Sequence, residues 1–194
     1  VRFISNESSG KQGYAIAETL QSLGAKTTLV SGPTSLNRPN VERVINVDSA
    51  DQMLEACESS LPADIAVCAA AVADYKIANK EITKIKKDGS RQNMILEENP
   101  DILERLSKRN HLRPKLVVGF AAETSNLERN SNEKLNKKGC DWVLGNDVSE
   151  NSVFNQDTNK IYFTSKLHSE NWELMTKKEV AKKLCQKISL YLNN

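Results

Sequence analysis

The chain has 194 residues, 39% of them apolar and 27% charged, with a net charge of only +2. That balance describes one ordinary globular domain able to bury a core; it excludes a disordered or fibrous chain and gives no reason to expect nucleic acid as a partner. No apolar run approaches the roughly 18 residues of a membrane span and no signal peptide opens the chain, so the expectation is a cytoplasmic protein with no membrane partner.

Close to the start of the sequence lies a polar stretch at 5–13, Ser-Asn-Glu-Ser-Ser-Gly-Lys-Gln-Gly. Its two glycines allow close backbone approach, and the helix after it would turn its N–H groups toward an anion. The spacing is neither a P-loop nor Gly-x-Gly-x-x-Gly. On its own the stretch reads first as an ordinary capped helix start and only second as a phosphate site.

Apolar positions Ile16, Ala17, Leu20 and Leu23 then predict a helix over 10–23, stopped by Gly24. Residues 27–30 read as a strand, as does the run through Val41, Val44, Ile45 and Val47, and Ser49 or Asp51 caps a helix facing inward with Met53, Leu54 and Cys57. Residues 65–72 are continuously apolar, the pattern of a strand covered on both faces. The alternation predicts an α/β fold, a Rossmann-like, doubly wound, mostly parallel sheet. An opening helix with no strand before it, and a first residue that is not Met, lead to the expectation that the native chain extends further N-terminally, with this domain (1–194) lacking its first strand.

Residues 82–87 and 93–97 flank Asp88-Gly89 and predict a lysine-rich hairpin or flap, about 80–97. Asn99-Pro100-Asp101 starts a helix with Ile102, Leu103 and Leu106 inward. Residues 116–121 form a second buried strand, 127–138 a polar helix ending at Gly139, and 142–144 a third strand. The loop to Asp157 has a mobile composition. A terminal hairpin at 160–164 and 172–175 precedes a last helix with a Thr176/Glu179 capping box.

The four cysteines form no Cys-x-x-Cys pair and read as free thiols. The two histidines have no partner at a catalytic or metal spacing, which leaves Asn, Lys and Asp for any chemistry. Polar residues collect at three strand ends, at Asp74, at Glu123 and Thr124, and at Asn146 and Asp147, where parallel sheets bind ligands. Lys134 and Lys138 stand one helical turn apart, and Lys84 and Lys86 share one face of the flap. Each pair fits a solvated surface, but three basic elements around one sheet edge also fit a nucleoside triphosphate.

Six ordered blocks, the one at 5–13 with Ala-Ala-Val-Ala-Asp-Tyr (70–75), Lys-Ile-Lys-Lys (84–87), Asn-Pro-Asp-Ile (99–102), Val-Gly-Phe-Ala-Ala-Glu-Thr (118–124) and Asn-Asp-Val-Ser (146–149), closely resemble bacterial phosphopantothenoylcysteine synthetase. That family is the C-terminal half of a bifunctional coenzyme A biosynthesis protein. The resemblance implies a ligase that joins 4′-phosphopantothenate and L-cysteine with CTP and Mg2+ through an acyl-cytidylate. By position it makes Asn6 and Lys84 catalytic. It assigns nucleotide contact to Cys68, Ala69, Ala70, Asp74, Lys84, Pro100, Asp101, Ile102, Leu103, Phe120, Lys134 and Lys138. Arg2, with Ser8, Ser9 and Gly10 of the loop, is assigned to the substrate phosphate, and no metal ligand is assigned. It further implies a homodimer and a flavin-dependent decarboxylase half in the full-length protein, with no FMN in this chain. Cys68 stands where the family commonly has glycine. A nicotinamide-dependent oxidoreductase would need the Gly-x-Gly-x-x-Gly turn that is absent here. A non-catalytic nucleotide sensor of Rossmann type would need the pocket residues but neither Asn6 nor Lys84.

Overall fold

The computed structural model describes residues 6, 8–79, 93–148 and 157–193. Among the described residues, strands β3 (Ile65–Cys68), β6 (Leu116–Glu123), β7 (Trp142–Asp147), β8 (Thr158–Ser165) and β9 (Ser169–Thr176) form a five-stranded sheet in that order. The β3–β6 and β6–β7 ladders are parallel, and the terminal hairpin adds β8 and β9 antiparallel. Among the described residues, strands β1 (Thr28–Ser31) and β2 (Arg43–Asn46) pair in parallel with each other, and β4 (Tyr75–Ile77) and β5 (Leu96–Glu98) form a small antiparallel ribbon.

Helices cover both faces of the large sheet because its strands are apolar on both sides. On one face α1 (Lys11–Ser22) and α5 (Lys177–Asn193) bury Ile16, Val180, Leu184 and Ile188 against Leu116, Val118, Leu144, Ile161, Phe163 and Trp172. On the other, Leu103 of α3 (Ile102–Ser107) and Leu135 of α4 (Leu127–Lys138) pack on Val117, Ala121 and Val143. Helix α2 (Ala50–Ser59) joins α3 in a third cluster around Met53, Ala56, Ile102 and Leu106. Two glycines allow this approach. A Cβ on Gly119 would lie 2.6 Å from Leu103 Cδ2, and one on Gly145 would lie 2.2 Å from Ser131 Oγ.

The helix ends follow the sequence signals. Ser49 caps α2 by accepting from Gln52 N at 3.2 Å, and Asp101 caps α3 by accepting from Glu104 N at 2.8 Å. Gly139 ends α4 with φ 69°, and Glu179 completes the box at α5 by accepting from Thr176 N at 2.7 Å. Two expectations need correction. The strand expected over 65–72 ends at Cys68 and is half-buried; among the described residues β3 is the edge of the large sheet, and the alanines after it belong to a loop. Residues 96–98 pair with β4, a strand that has no counterpart among the elements expected from the sequence. The expected partner at 82–87 and most of the loop before Asp157 lie outside the described residues.

One side chain ties the crossovers together. Arg113 donates to Ser107 O (2.7 Å), Pro114 O (2.9 Å) and Gly139 O (3.3 Å), and pairs with Asp141, whose Oδ2 also accepts from Val117 N at 2.7 Å. The fork geometry of a guanidinium serves all of these at once. Arg113→Met is expected to lower stability by about 1–3 kcal/mol through carbonyls left unpaired, read as a lower urea midpoint at an unchanged slope.

Candidate functional site

The polar loop meets the end of β3. Gly10 adopts φ 72°, where a side chain would be strained, and a Cβ there would also lie 3.3 Å from Thr34 Oγ1. Ser8 Oγ accepts from Gly10 N at 3.4 Å and Ser9 Oγ from Lys11 N at 3.5 Å, both long, and α1 has no side-chain cap bond. Thr34 Oγ1 donates to Ser9 O at 3.2 Å. A Cβ on Gly13 would be 4.0 Å from Ala69 Cβ, so the first turn of α1 lies against the loop that follows β3. Asn6 joins that loop by donating from Nδ2 to Val72 O at 3.1 Å.

The opposite side of the loop faces the start of α3. Asn99 N donates to Asp74 O at 2.8 Å, and Asn99 Nδ2 to Ala73 O at 2.8 Å. Ala70 and Asp74 are exposed, Ala69 and Pro100 half-buried, and Ile102 and Leu103 buried. Lys134 Nζ donates to Phe120 O at 2.6 Å, and Lys138 pairs with Asp101 and, at 3.6 Å, with Glu104. The side chain of Phe120 packs with the cluster on the α1/α5 face, so what this residue offers Lys134 is its carbonyl.

Thus the structure gathers Cys68, Ala69, Ala70, Asp74, Asp101, Phe120, Lys134 and Lys138 at neighbouring strand ends and helix termini, with Asn6 and the Ser8–Ser9–Gly10 turn alongside. Arg2 and Lys84 lie outside the described residues. Asn99 and Glu104 are additions that sequence reasoning missed. Asn99 stands in the Asn-Pro-Asp-Ile block without an assigned role and Glu104 is one more acid in a helix, and neither pattern signals what the side chain touches. A cleft of about 600 Å3 between α4 and the β7–β9 strands shares none of the assigned residues, whereas one of about 470 Å3 beside α3 includes Asp101 and Glu104.

Charge in the site is internally balanced. Burial opposes ionisation of Asp101, but the Lys138 ammonium and the Glu104 N–H hold its carboxyl below the usual carboxylate range. The Asp101 hydrogen bond in turn raises the Lys138 ammonium against the opposing effect of burial. A depressed carboxyl contributes stability above its unfolded pKa that is lost as pH falls through the folded value; a raised ammonium contributes stability below its unfolded pKa that is lost as pH rises through the folded one. The pair is therefore intact across neutral pH and fails at the acid end. Because Asn caps a helix as well as Asp, Asp101→Asn is expected to retain α3 and lose less stability than the parent between about pH 5 and 3, measured by urea titration at each pH.

Burial keeps the four thiols in their protonated form at neutral pH, pushing Cys57, Cys140 and Cys185 up to about 11 and Cys68 to about 12. Among the described residues no group of three or more His, Cys, Asp and Glu is arranged to hold a metal.

The profile of the DNA/pantothenate metabolism flavoprotein C-terminal domain matches residues 1–191. The chain belongs to that family. It is 41% identical over 189 residues to the Coenzyme A biosynthesis bifunctional protein CoaBC of Haemophilus influenzae, and 38% identical over 193 residues to that of Bacillus subtilis. Each alignment covers 97% of this chain and 47% of the relative, so the family member described here spans about half the length of these proteins. A crystal structure of the C-terminal domain of a CoaBC protein superposes with a TM-score of 0.81 at 36% identity, covering 100% of this chain and 88% of that one. A Cab2 mutant in complex with phosphopantothenate-cysteine shares the fold, with a TM-score of 0.71 at 17% identity over 100% of this chain and 83% of that one.

Proposed function

We propose that this chain is a phosphopantothenate–cysteine ligase of coenzyme A biosynthesis that consumes CTP. The observation that carries the reading is the convergence of Asn6, the loop at 69–74, the start of α3 and the lysines of α4 on one sheet edge, in a chain from a family whose bifunctional relatives bear the coenzyme A biosynthesis name.

The chemistry fits residues that include no histidine base. The carboxylate of 4′-phosphopantothenate is already a nucleophile; it attacks the α-phosphorus of CTP, an acyl–O–P bond forms, and pyrophosphate leaves. That step needs alignment and charge neutralisation. Lys84, Lys134 and Lys138 are assigned to neutralisation, and the carbonyls and small side chains at 68–70 leave room for the nucleotide. Mg2+ on the triphosphate would supply further neutralisation. The exposed Asp74 carboxylate is a suitable oxygen donor, since Mg2+ takes one or two protein oxygens beside phosphate and water. In the second step the cysteine amine attacks the acyl carbon, the amide forms, the amine gives up its proton, and CMP leaves. Asn6 is assigned the hydrogen bond to the acyl oxygen as the tetrahedral centre develops. Its bond to Val72 O orients the amide for that role.

A second copy of the chain and a fused flavin-dependent decarboxylase half complete the reading, and FMN belongs to that half. Exposed Tyr75, Met94, Ile95 and Leu96 cluster on and beside the β4–β5 ribbon and support the self-association. A cytoplasmic location is part of the same proposal; among the described residues, no helix is long and apolar enough to cross a membrane. The test is turnover with 4′-phosphopantothenate, cysteine and either CTP or ATP. Phosphopantothenoylcysteine, the nucleoside monophosphate and pyrophosphate in equal amounts, with CTP preferred, are expected. Nucleotide binding without product would instead support a nucleotide sensor.

A further inference from the structure

We propose that Asn99 is a positioning residue that clamps the 69–74 loop to the start of α3, so that the two nucleotide-contacting segments form one rigid unit. The nucleotide part rests on the proposed ligase reading.

Strand β3 ends at Cys68 and β4 begins at Tyr75, so the residues between them have no strand partner among the described residues. Three consecutive carbonyls there are instead taken by donors from outside the loop. Val72 O accepts from Asn6 Nδ2 at 3.1 Å, Ala73 O from Asn99 Nδ2 at 2.8 Å, and Asp74 O from Asn99 N at 2.8 Å. Asn99 supplies two of the three. The residue after it, Pro100, restricts Asn99 to extended backbone, and Asp101 then caps α3. The direction of the Asn99 amide is therefore fixed by the chain that starts α3. Displacement of α3 is thereby coupled to Ala73 and Asp74, the two residues whose carbonyls Asn99 holds.

The side chain must donate. The Asn99→Asp substitution keeps the shape but offers only acceptor oxygens, which would face the Ala73 carbonyl and repel it. Asn99→Gln keeps the donor one methylene further out.

Two readouts separate positioning from general structural support. In Asn99→Asp the amides of residues 69–74 in the ligand-free protein are expected to exchange hydrogen about tenfold faster, as for a lost local hydrogen bond, while those of β6 and β7 keep their protection. The KM for CTP is expected to rise about tenfold, with kcat at saturating CTP within about threefold of the parent. Asn99→Gln should fall between the two, and it carries the comparison if the aspartate variant does not fold. Unchanged loop exchange, or a fall in kcat at an unchanged KM, would overturn the clamp. Absence of CTP turnover in the parent would contradict the ligase reading instead, and the exchange comparison would still decide whether Asn99 holds the loop.

Discussion

Lys84→Gln is expected to abolish pyrophosphate release from CTP and 4′-phosphopantothenate in the absence of cysteine, whereas Asn6→Asp still releases pyrophosphate and accumulates the acyl-cytidylate. The two substitutions interrupt different steps. During the first, negative charge moves from the attacking carboxylate onto the triphosphate, and no proton transfer relieves it. An ammonium from the 84–87 segment is a point charge suited to that moment, and a neutral amide of similar reach cannot replace it. Removing one such group from a water-excluded site typically costs 10²–10³-fold, and a loss of about 10³-fold is expected here. Asn6→Asp leaves the lysines in place. It sets a carboxylate oxygen against Val72 O where an N–H now donates, and it removes the donor from the acyl oxygen in the second step. Amide formation is then expected to slow by about 10²-fold. Quench-flow detection of pyrophosphate with mass detection of the intermediate separates the cases. Normal pyrophosphate release by Lys84→Gln would remove that lysine from the first step.

Lys138→Met is expected to raise the KM for CTP about thirtyfold, from loss of a charge-assisted contact worth about 2 kcal/mol. The substitution also leaves Asp101 and Glu104 without the ammonium that now pairs with both. Two carboxylates would then face an incoming polyanion, so the effect on binding exceeds the effect on folding. Asp101 is 38% exposed at its side chain, where water screens the loss, and the stability cost is expected to stay below about 1 kcal/mol. Lys137→Met is the control. Lys137 is exposed on another face of α4, and the variant is expected to keep the parental KM. Equal KM values for both variants would show that Lys138 serves only to hold α3 on α4.

Much of the fold was legible because period and caps agree. Helix α4 runs from Leu127 to Lys138 and stops at Gly139, as its left-handed glycine requires, and the Thr176/Glu179 box opens α5. Buried strands declared themselves by continuous apolar runs at 116–121 and 142–144. The same rule misled at 65–72. Alanines and Val72 are apolar whether they line a strand or a ligand loop, and hydropathy cannot show that pairing with β6 ends at Cys68↔Gly119. Strand β4 escaped notice because three residues, Tyr75, Lys76 and Ile77, carry too short a pattern.

For the site, residue types pointed to anion chemistry but not to geometry. Lys134 and Lys138 look like one repelling pair in sequence. In the structure they point to different acceptors, a strand carbonyl and a helix-capping carboxylate, which removes the repulsion without any ligand. Asn99 was invisible because its role lies in which carbonyls it reaches, and contacts 26 residues apart leave no periodic trace.

The central claim, activation of a carboxylate on the α-phosphate of CTP, is tested most directly by isotope transfer. With 4′-phosphopantothenate labelled with 18O in both carboxylate oxygens, cysteine and CTP, one labelled oxygen is expected in CMP and none in pyrophosphate, because the bridging oxygen leaves with the nucleotide when the amide forms. Label in inorganic phosphate, with CDP as the other product, would contradict the acyl-cytidylate account and indicate attack at the terminal phosphate.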